Sequence, residues 1–453
     1  MMMLQVLQEV LRRRRCEGWL VGGFVRDRRL GRFSPDLDVV VTDDPAAVAR
    51  ELATSSGSPW FPLSARHGAY RVLVPDGHVD LARMRGAGIE DDLSRRDFTI
   101  NAMAVPLLAL NEDALRHEGG LGFDEHVLDP FGGRAHLAAG RLVAVSERIF
   151  SDDPLRLMRA VRLEHVLGLT LDADLEAMVR AQSDWVAKAA AERVMAELAL
   201  TLEPAGSGAA VRRLQDLGLL QVFMPEAGHG VATLLECLDE VLTLGSWQGA
   251  PWRRALEERV KRPVDGGLSR PVALRLAALV HESPSGRAAA IGRRLKLSGA
   301  AVSLLQASFG WFQRTAAAGL APGEGLAAAS ATPRSSTLFC WETSPWEPEV
   351  VLVAAAASMA AAGASASGAS PGSAPSGLIS AELLLQHWAR RADGLAPAPF
   401  DGDLLMAELG LAEGPVLGRV LSETRLAWEA GEVHGLADSL ALAREVRASS
   451  PTR

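Results

Sequence analysis

The chain has 453 residues, enough for three or four domains, and a composition 48% hydrophobic and 23% charged excludes a disordered or fibrous protein. Lys+Arg 47 against Asp+Glu 55 gives a net charge of -8, which excludes a globally polybasic binder and leaves only local basic patches. Cys16, Cys237 and Cys340 form no CxxC pair, so neither a disulfide framework nor a structural zinc site is expected. Arginines 12–15 follow the first apolar run rather than precede it, the wrong order for a secretory signal, and the apolar run 351–357 is too short to span a bilayer. A cytoplasmic location is expected.

In chain order, Leu20-Val21 predicts a strand running into Gly22-Gly23, followed by a helix over 25–30. Residues 37–41, LDVVV, are β-branched and bounded by Pro35 and Pro45, and predict a second strand. Residues 71–74 and 78–81, joined by Pro75-Asp76-Gly77, predict a hairpin. A mixed or antiparallel sheet with helices on one face fits this order. From about Phe150 the strand signals stop, and helical spacing runs over 154–167, 174–180, 189–202 and 209–220. Helices then continue to the C-terminus, with two expected interruptions. Residues 316–336 are rich in Ala, Gly, Pro and Ser, and residues 361–377 are low in complexity and read as a flexible linker. The fold class is therefore α+β, an N-terminal head followed by all-helical segments.

Asp36 and Asp38 stand two apart at the start of a predicted strand, so alternation points both carboxylates to one face. Such paired oxygens suit Mg²⁺ bound together with substrate phosphates. A lone DxD is more often a solvated turn; the preceding Gly22-Gly23-Phe24-Val25-Arg26 shifts that balance. A diglycine between strand and helix lets backbone N–H groups approach phosphate oxygens, and Arg26 can add a charged fork. Asp80, flanked by Val79 and Leu81, becomes a third carboxylate if its strand neighbours that of Asp38, where it could help deprotonate an attacking hydroxyl.

Residues 95–102, RRDFTINA, place Arg96, Asp97 and Asn101 where they could hold nucleotide phosphates and ribose hydroxyls; a helix start with a surface salt bridge is the bland alternative. In residues 151–162, Pro154 is a favoured first helical residue, which makes Asp153 the N-cap. Arg156, Arg159 and Arg162 then recur every third position as a stripe. Structurally this is a capped helix with exposed arginines. Functionally, Asp153 and Arg156 offer an acceptor and a donor fork side by side, which complements cytosine or adenine but not uracil or guanine.

These segments, in this order, resemble the class II tRNA nucleotidyltransferases, which comprise CCA-adding enzymes and bacterial poly(A) polymerases. Residues 22–27 with Asp36-Leu37-Asp38 look like the phosphate grip and metal aspartates of that family, 95–102 like its ribose signature, and 152–156 like its base-templating signature. Asp152 departs mildly from the usual Glu. Residues 192–198 are similar to the helix-end motif that braces the templating helix. The resemblance implies a catalytic head over 1–145, a helical neck with the base-recognition residues over 146–225, a helical body over 226–360, the linker 361–377 and a tRNA-contacting tail over 378–453. It further implies Mg²⁺, CTP and ATP as ligands and the tRNA acceptor end as partner.

Only nine residues, 86–94, separate Arg85 from Arg95, where full CCA-adding members usually carry a longer flexible loop. Two readings stay open: addition of CC alone, with the terminal A left to a separate A-adding enzyme, or a harmless shortening. A poly(A) polymerase and a catalytically idle RNA-binding relative are the alternatives to a tRNA nucleotidyltransferase. His281-Glu282 lacks a second His/Asp cluster, and phosphohydrolase chemistry is not expected there.

Overall fold

The computed structural model describes residues 2–32, 36–64, 68–75, 77–110, 123–228, 230–265, 267–365 and 376–449. Pro35, expected to precede the second strand, and Asp76, expected in the hairpin turn, lie outside these residues. So does the central part of the expected linker.

The chain divides into two compact units, residues 1–189 with 217–219, and residues 190–216 with 220–453. The first contains a six-stranded mixed sheet. Its elements are α1 (Met2–Arg14), β1 (Gly18–Val21), α2 (Gly23–Arg29), β2 (Leu37–Val41), α3 (Pro45–Ser56), β3 (Trp60–Ser64), β4 (Ala69–Val74), β5 (Gly77–Arg83), α4 (Ile89–Ser94) and β6 (Ala104–Pro106). The strand order is β3-β4-β5-β2-β1-β6, with β2 and β5 parallel and the other pairs antiparallel.

Alternation sorts each strand between two faces. On one face Leu20, Val39, Val41, Val72, Val79, Leu81 and Val105 pack with Leu7 and Leu11 of α1 and Val48 and Leu52 of α3. α3 is tightly specified: the Asp44 side chain accepts from the Ala46 N–H, Pro45 opens the helix, and Gly57 closes it in the left-handed region at φ 66. The other face carries a smaller cluster of Val21, Val40, Leu93, Ala102 and Ala104. Beyond the sheet, the helix Arg156–Leu167 belongs to the same unit and ends on Gly168 at φ 68.

The second unit is helical. Its interior holds buried ion pairs: Glu349, 1% exposed, meets both Arg259 and Arg270, and Arg275 donates to Asp239 and to the Leu202 carbonyl. Helices span Pro322–Ser330 and Pro333–Thr343 where the composition pointed to an interruption. In both, proline occupies the first turn, where its missing N–H costs nothing, and Thr332 caps the second helix. The helix Glu347–Ser365 likewise runs into the expected linker and another starts at Ser376. Alanine's helix propensity carries 361–365 despite the low complexity. His281 ends an apolar helix with Nδ1 2.8 Å from the Ala278 carbonyl and its ring against Phe312, a packing role. Among the described residues no helix is long and apolar enough to cross a membrane.

Candidate active site

The register lays one row of side chains across the sheet. Asp38 of β2 pairs with Asp80 of β5, Asp80 with Arg71 of β4, and Arg71 with Phe61 of β3. Directly paired residues share a face, so the expected third carboxylate stands beside Asp38. Arg71 donates from Nε and Nη2 to the two oxygens of Asp80 at 2.7 Å each. Asp36 lies just ahead of β2 with Oδ1 2.7 Å from His78 Nδ1, and His78 Nε2 is 3.6 Å from Asp80 Oδ2. With both oxygens held by Arg71, Asp80 is a fixed charge beside Asp38 rather than a free base. Arg71 and His78 went unnoticed in the sequence, although both occupy the same alternating face as Asp80.

Loss of hydration, and then the charge of Asp80, raise the pKa of Asp38; Arg96 and Arg159 act in the opposite direction. The carboxylate keeps accessible surface even so, because it sits at an open sheet face with protein crowded behind it. Two like charges across one strand spacing are the situation a divalent cation relieves. The donor set is oxygen throughout, as a hard cation prefers, and Asp36 with Asp38 would be the residues to hold it. Among the described residues no group of three His, Cys, Asp or Glu side chains is gathered closely enough to bind a metal alone. Mg²⁺ typically binds through one or two carboxylates and completes its shell with phosphates and water. The residues present fit that pattern.

The diglycine turn lies against these groups. Gly22 has φ 72, a conformation glycine adopts freely, and a Cβ there would lie 3.1 Å from an Arg96 guanidinium nitrogen and 3.6 Å from Asp38 Oδ2. Arg96 therefore faces the turn, and a buried carboxylate holds it there. Asp92 of α4, 1% exposed, receives Arg96 Nε and Nη2 at 3.2 and 2.9 Å on Oδ2 and Arg85 Nε at 3.0 Å on Oδ1. In the sequence, the one signal for Asp92 is its four-residue spacing to Arg96, which lies just past the end of α4.

Arg26, Asn101 and Asp97 are committed to one another. Arg26, buried, donates to both oxygens of Asp27 at 2.8 and 2.9 Å and to Asn101 Oδ1 at 2.7 Å. Asn101 Nδ2 donates to Asp97 Oδ1 at 3.0 Å, and Arg159 Nε lies 2.7 Å from Asp97 Oδ2. Here these side chains brace the site from within, and the phosphate fork expected of Arg26 is not presented outward. Burial works to raise the Asp97 pKa, but the Arg159 charge and hydrogen bonds from Asn101 and the Phe98 N–H hold it below the usual carboxylate value. The segment is seated by Gly133, where a Cβ would fall 2.2 Å from the Thr99 carbonyl oxygen.

Asp153 is extended at φ -153, and its Oδ1 accepts from the Leu155 N–H at 3.2 Å, as a cap does, three residues before the regular helix begins at Arg156. Arg156 donates from Nη2 to the Arg95 carbonyl at 2.7 Å and from Nη1 to the Ile149 carbonyl at 3.2 Å. Arg156, Arg159 and Arg162 are half-buried rather than fully exposed, because the stripe faces the 95–101 segment. The charges of Arg159 and Arg162 reach Arg26 and, after burial, help lower its pKa.

A sheet-borne carboxylate pair beside a glycine turn and a cluster of arginines defines a nucleotidyltransferase-type head. Residues 18–143 match the poly A polymerase head domain, and residues 168–229 match the probable RNA and SrmB-binding site of polymerase A. A CC-adding tRNA nucleotidyltransferase of Synechocystis is 30% identical over 434 residues, covering 94% of this chain and 93% of that relative. An A-adding tRNA nucleotidyltransferase of Deinococcus radiodurans is 36% identical over 216 residues, covering 47% of this chain and 46% of that relative. The Thermotoga maritima CCA-adding enzyme, solved in complex with tRNA, shares the fold with a TM-score of 0.65 at 20% identity, covering 98% of this chain and 94% of that one. The chain belongs to the tRNA nucleotidyltransferase family.

Proposed function

We propose that this enzyme transfers cytidylyl groups from CTP to the 3′ end of tRNA, building the two C residues of the CCA terminus and leaving the A to a separate enzyme. The observation that carries the transfer chemistry is the Asp38–Asp80 pair set against Gly22 and Arg96. In this reading the triphosphate lies along the Gly22-Gly23 turn, where backbone N–H groups and Arg96 neutralise its charge. Asp36 and Asp38 hold Mg²⁺, which supplies charge neutralisation at the α-phosphate. The tRNA 3′-hydroxyl attacks that phosphorus and pyrophosphate leaves, while Asp38 orients the reacting groups and Asp80 maintains the local negative field. Asp97 and Asn101 position Arg159 beside the nucleotide, and Arg26 braces them from the buried side.

Base choice falls to Asp153 and Arg156, an acceptor and a donor fork that match the exocyclic amine and ring nitrogen of cytosine. The carbonyls of Arg95 and Ile149 orient the Arg156 fork. Two observations favour CC addition. The 86–94 connection is short and two thirds of it is α4, anchored by Asp92, which leaves little reach for reshaping a base pocket. The Synechocystis relative, matched along nearly the whole chain, carries the CC-adding name, whereas the Deinococcus A-adding match covers under half. Incubation with labelled CTP and a tRNA trimmed of its CCA end should give a product two nucleotides longer; no incorporation would refute the reading, and repeated ATP incorporation would favour a poly(A) polymerase.

A further inference from the structure

The face that carries Asp38 and Asp80 is covered over only part of its width. Across β6, β1 and β2, residues Val21, Val40 and Ala104 lie beneath Leu93 and Ala102, with Ile89 and Phe131 packed against them. Across β4 and β3 the same face is open, and the row beginning at Asp38 runs out over it through Arg71 to Phe61. Phe61 is 41% exposed, and Leu73, two residues beyond Arg71 and hence on its face, is 39% exposed; Leu63, 44% exposed, sits at the register shift between Pro62 and Ser64. Single exposed apolar side chains are ordinary. Here three gather on two neighbouring strands, and Phe61 is the aromatic one among the exposed large hydrophobics of the described residues. The core face of the same strands is satisfied separately, with Trp60 and Tyr70 in ring contact at 5.9 Å.

We propose that Phe61 is a stacking platform for a base of the single-stranded RNA 3′ end whose terminal hydroxyl reaches Asp38. This rests on the reading of the chain as an enzyme that extends tRNA. Three strand spacings of about 4.8 Å set Phe61 roughly 14 Å from Asp38, a distance that a few unstacked nucleotides bridge. A base offers a flat apolar face to a ring whatever its identity, so stacking suits an end whose last nucleotide changes after each addition. Leu73 extends the apolar floor. Arg71, held by Asp80, presents a fixed guanidinium between ring and carboxylate, placed for a backbone phosphate. An exposed sheet face with an aromatic in its central row is a recurrent way of holding unpaired RNA.

The test places 2-aminopurine in the unpaired 3′ segment of a tRNA lacking its last two nucleotides and titrates it with full-length wild type, Phe61→Trp and Phe61→Leu. Phe61→Leu keeps the apolar bulk without the ring, so it separates stacking from packing. Wild type and Phe61→Trp should quench the probe on binding; Phe61→Leu should not, and its affinity for the RNA should fall on the order of tenfold, with the KM for CTP unchanged. Equal quenching by Phe61→Leu, or equal impairment of the Leu and Trp variants, overturns the platform. Wild-type protein that extends tRNA without a quench likewise overturns it while sparing the functional reading. Quenching without any nucleotide transfer sinks the functional reading and spares the platform. Self-association that depends on Phe61, with RNA binding unchanged, would assign the edge to a second copy of the chain and overturn the proposal.

Discussion

Asp38 and Asp80 face each other across the parallel β2–β5 pairing, and Arg71 holds Asp80 by both oxygens. The two carboxylates therefore have unequal roles. Asp80 is a charge held fixed by Arg71, while Asp38 stays at the open face beside Gly22. Asp38→Ala should abolish nucleotide transfer while tRNA affinity, measured by filter binding, changes less than about twofold, because one carboxylate adds no net attraction for RNA. Retained turnover would refute its role.

Arg156 is oriented by two backbone carbonyls, an arrangement that fixes the angle of its fork. In Arg156→Ala the preference for CTP over UTP should fall by at least tenfold, since a site matched in hydrogen bonds rejects mismatched analogues strongly. An equal loss of kcat/KM with both nucleotides would assign Arg156 to the fold instead.

Asp92 ties Arg96 and Arg85 to α4 from a buried position. Replacing it by Ala should cost about 2 kcal/mol of stability, the range for hydrogen bonds to charged groups. It should also raise the KM for CTP more than that for tRNA, because Arg96 loses its hold beside the glycine turn. Asp92→Asn, which keeps one acceptor, should recover part of the affinity.

Asp97 carries a pH signature. Its pKa in the folded chain lies below the ordinary carboxylate value because Arg159, Asn101 and the Phe98 N–H outweigh burial. A depressed pKa stabilises the fold above the unfolded value of about 3.9 and stops doing so as pH falls through the folded one. The gap in Tm between wild type and Asp97→Asn should thus be full at pH 6 to 7 and shrink in acid. A gap that widened on acidification would contradict the pairing.

Gly133 tests the seating of the 97–101 segment. A Cβ would meet the Thr99 carbonyl oxygen at 2.2 Å, and that neighbour is backbone. Gly133→Ala should destabilise by about 1–3 kcal/mol, the usual cost of overpacking, and reduce transfer by disturbing Asp97 and Asn101.

Much of the head was legible because local chemistry and alternation agree there. The Gly22-Gly23 turn, β2 and β5 follow from β-branched runs and glycine, and period-two alternation singled out Asp80 before its partner strand was known. The mutual commitment of Arg26, Asn101 and Asp97 was not legible, since side chains 75 residues apart meet only through the fold. Nor was the fixing of Arg96 by Asp92, which resembles any helical ion pair until burial is known. In the helical unit, composition misled at 316–336: small residues suggested a loop, but Pro322 and Pro333 each open a helix. The half-burial of Arg156 and Arg159 was also hidden, because a stripe of arginines reads as solvated until a carboxylate such as Asp97 is placed opposite it.

The most direct test of the account uses purified protein with tRNAs ending before the first C, after one C and after CC, supplied with CTP, ATP or both, and resolved to one nucleotide. The account predicts two additions from CTP on the first, one on the second, and none on the third even with ATP. Efficient ATP incorporation onto the tRNA already ending in CC would contradict it.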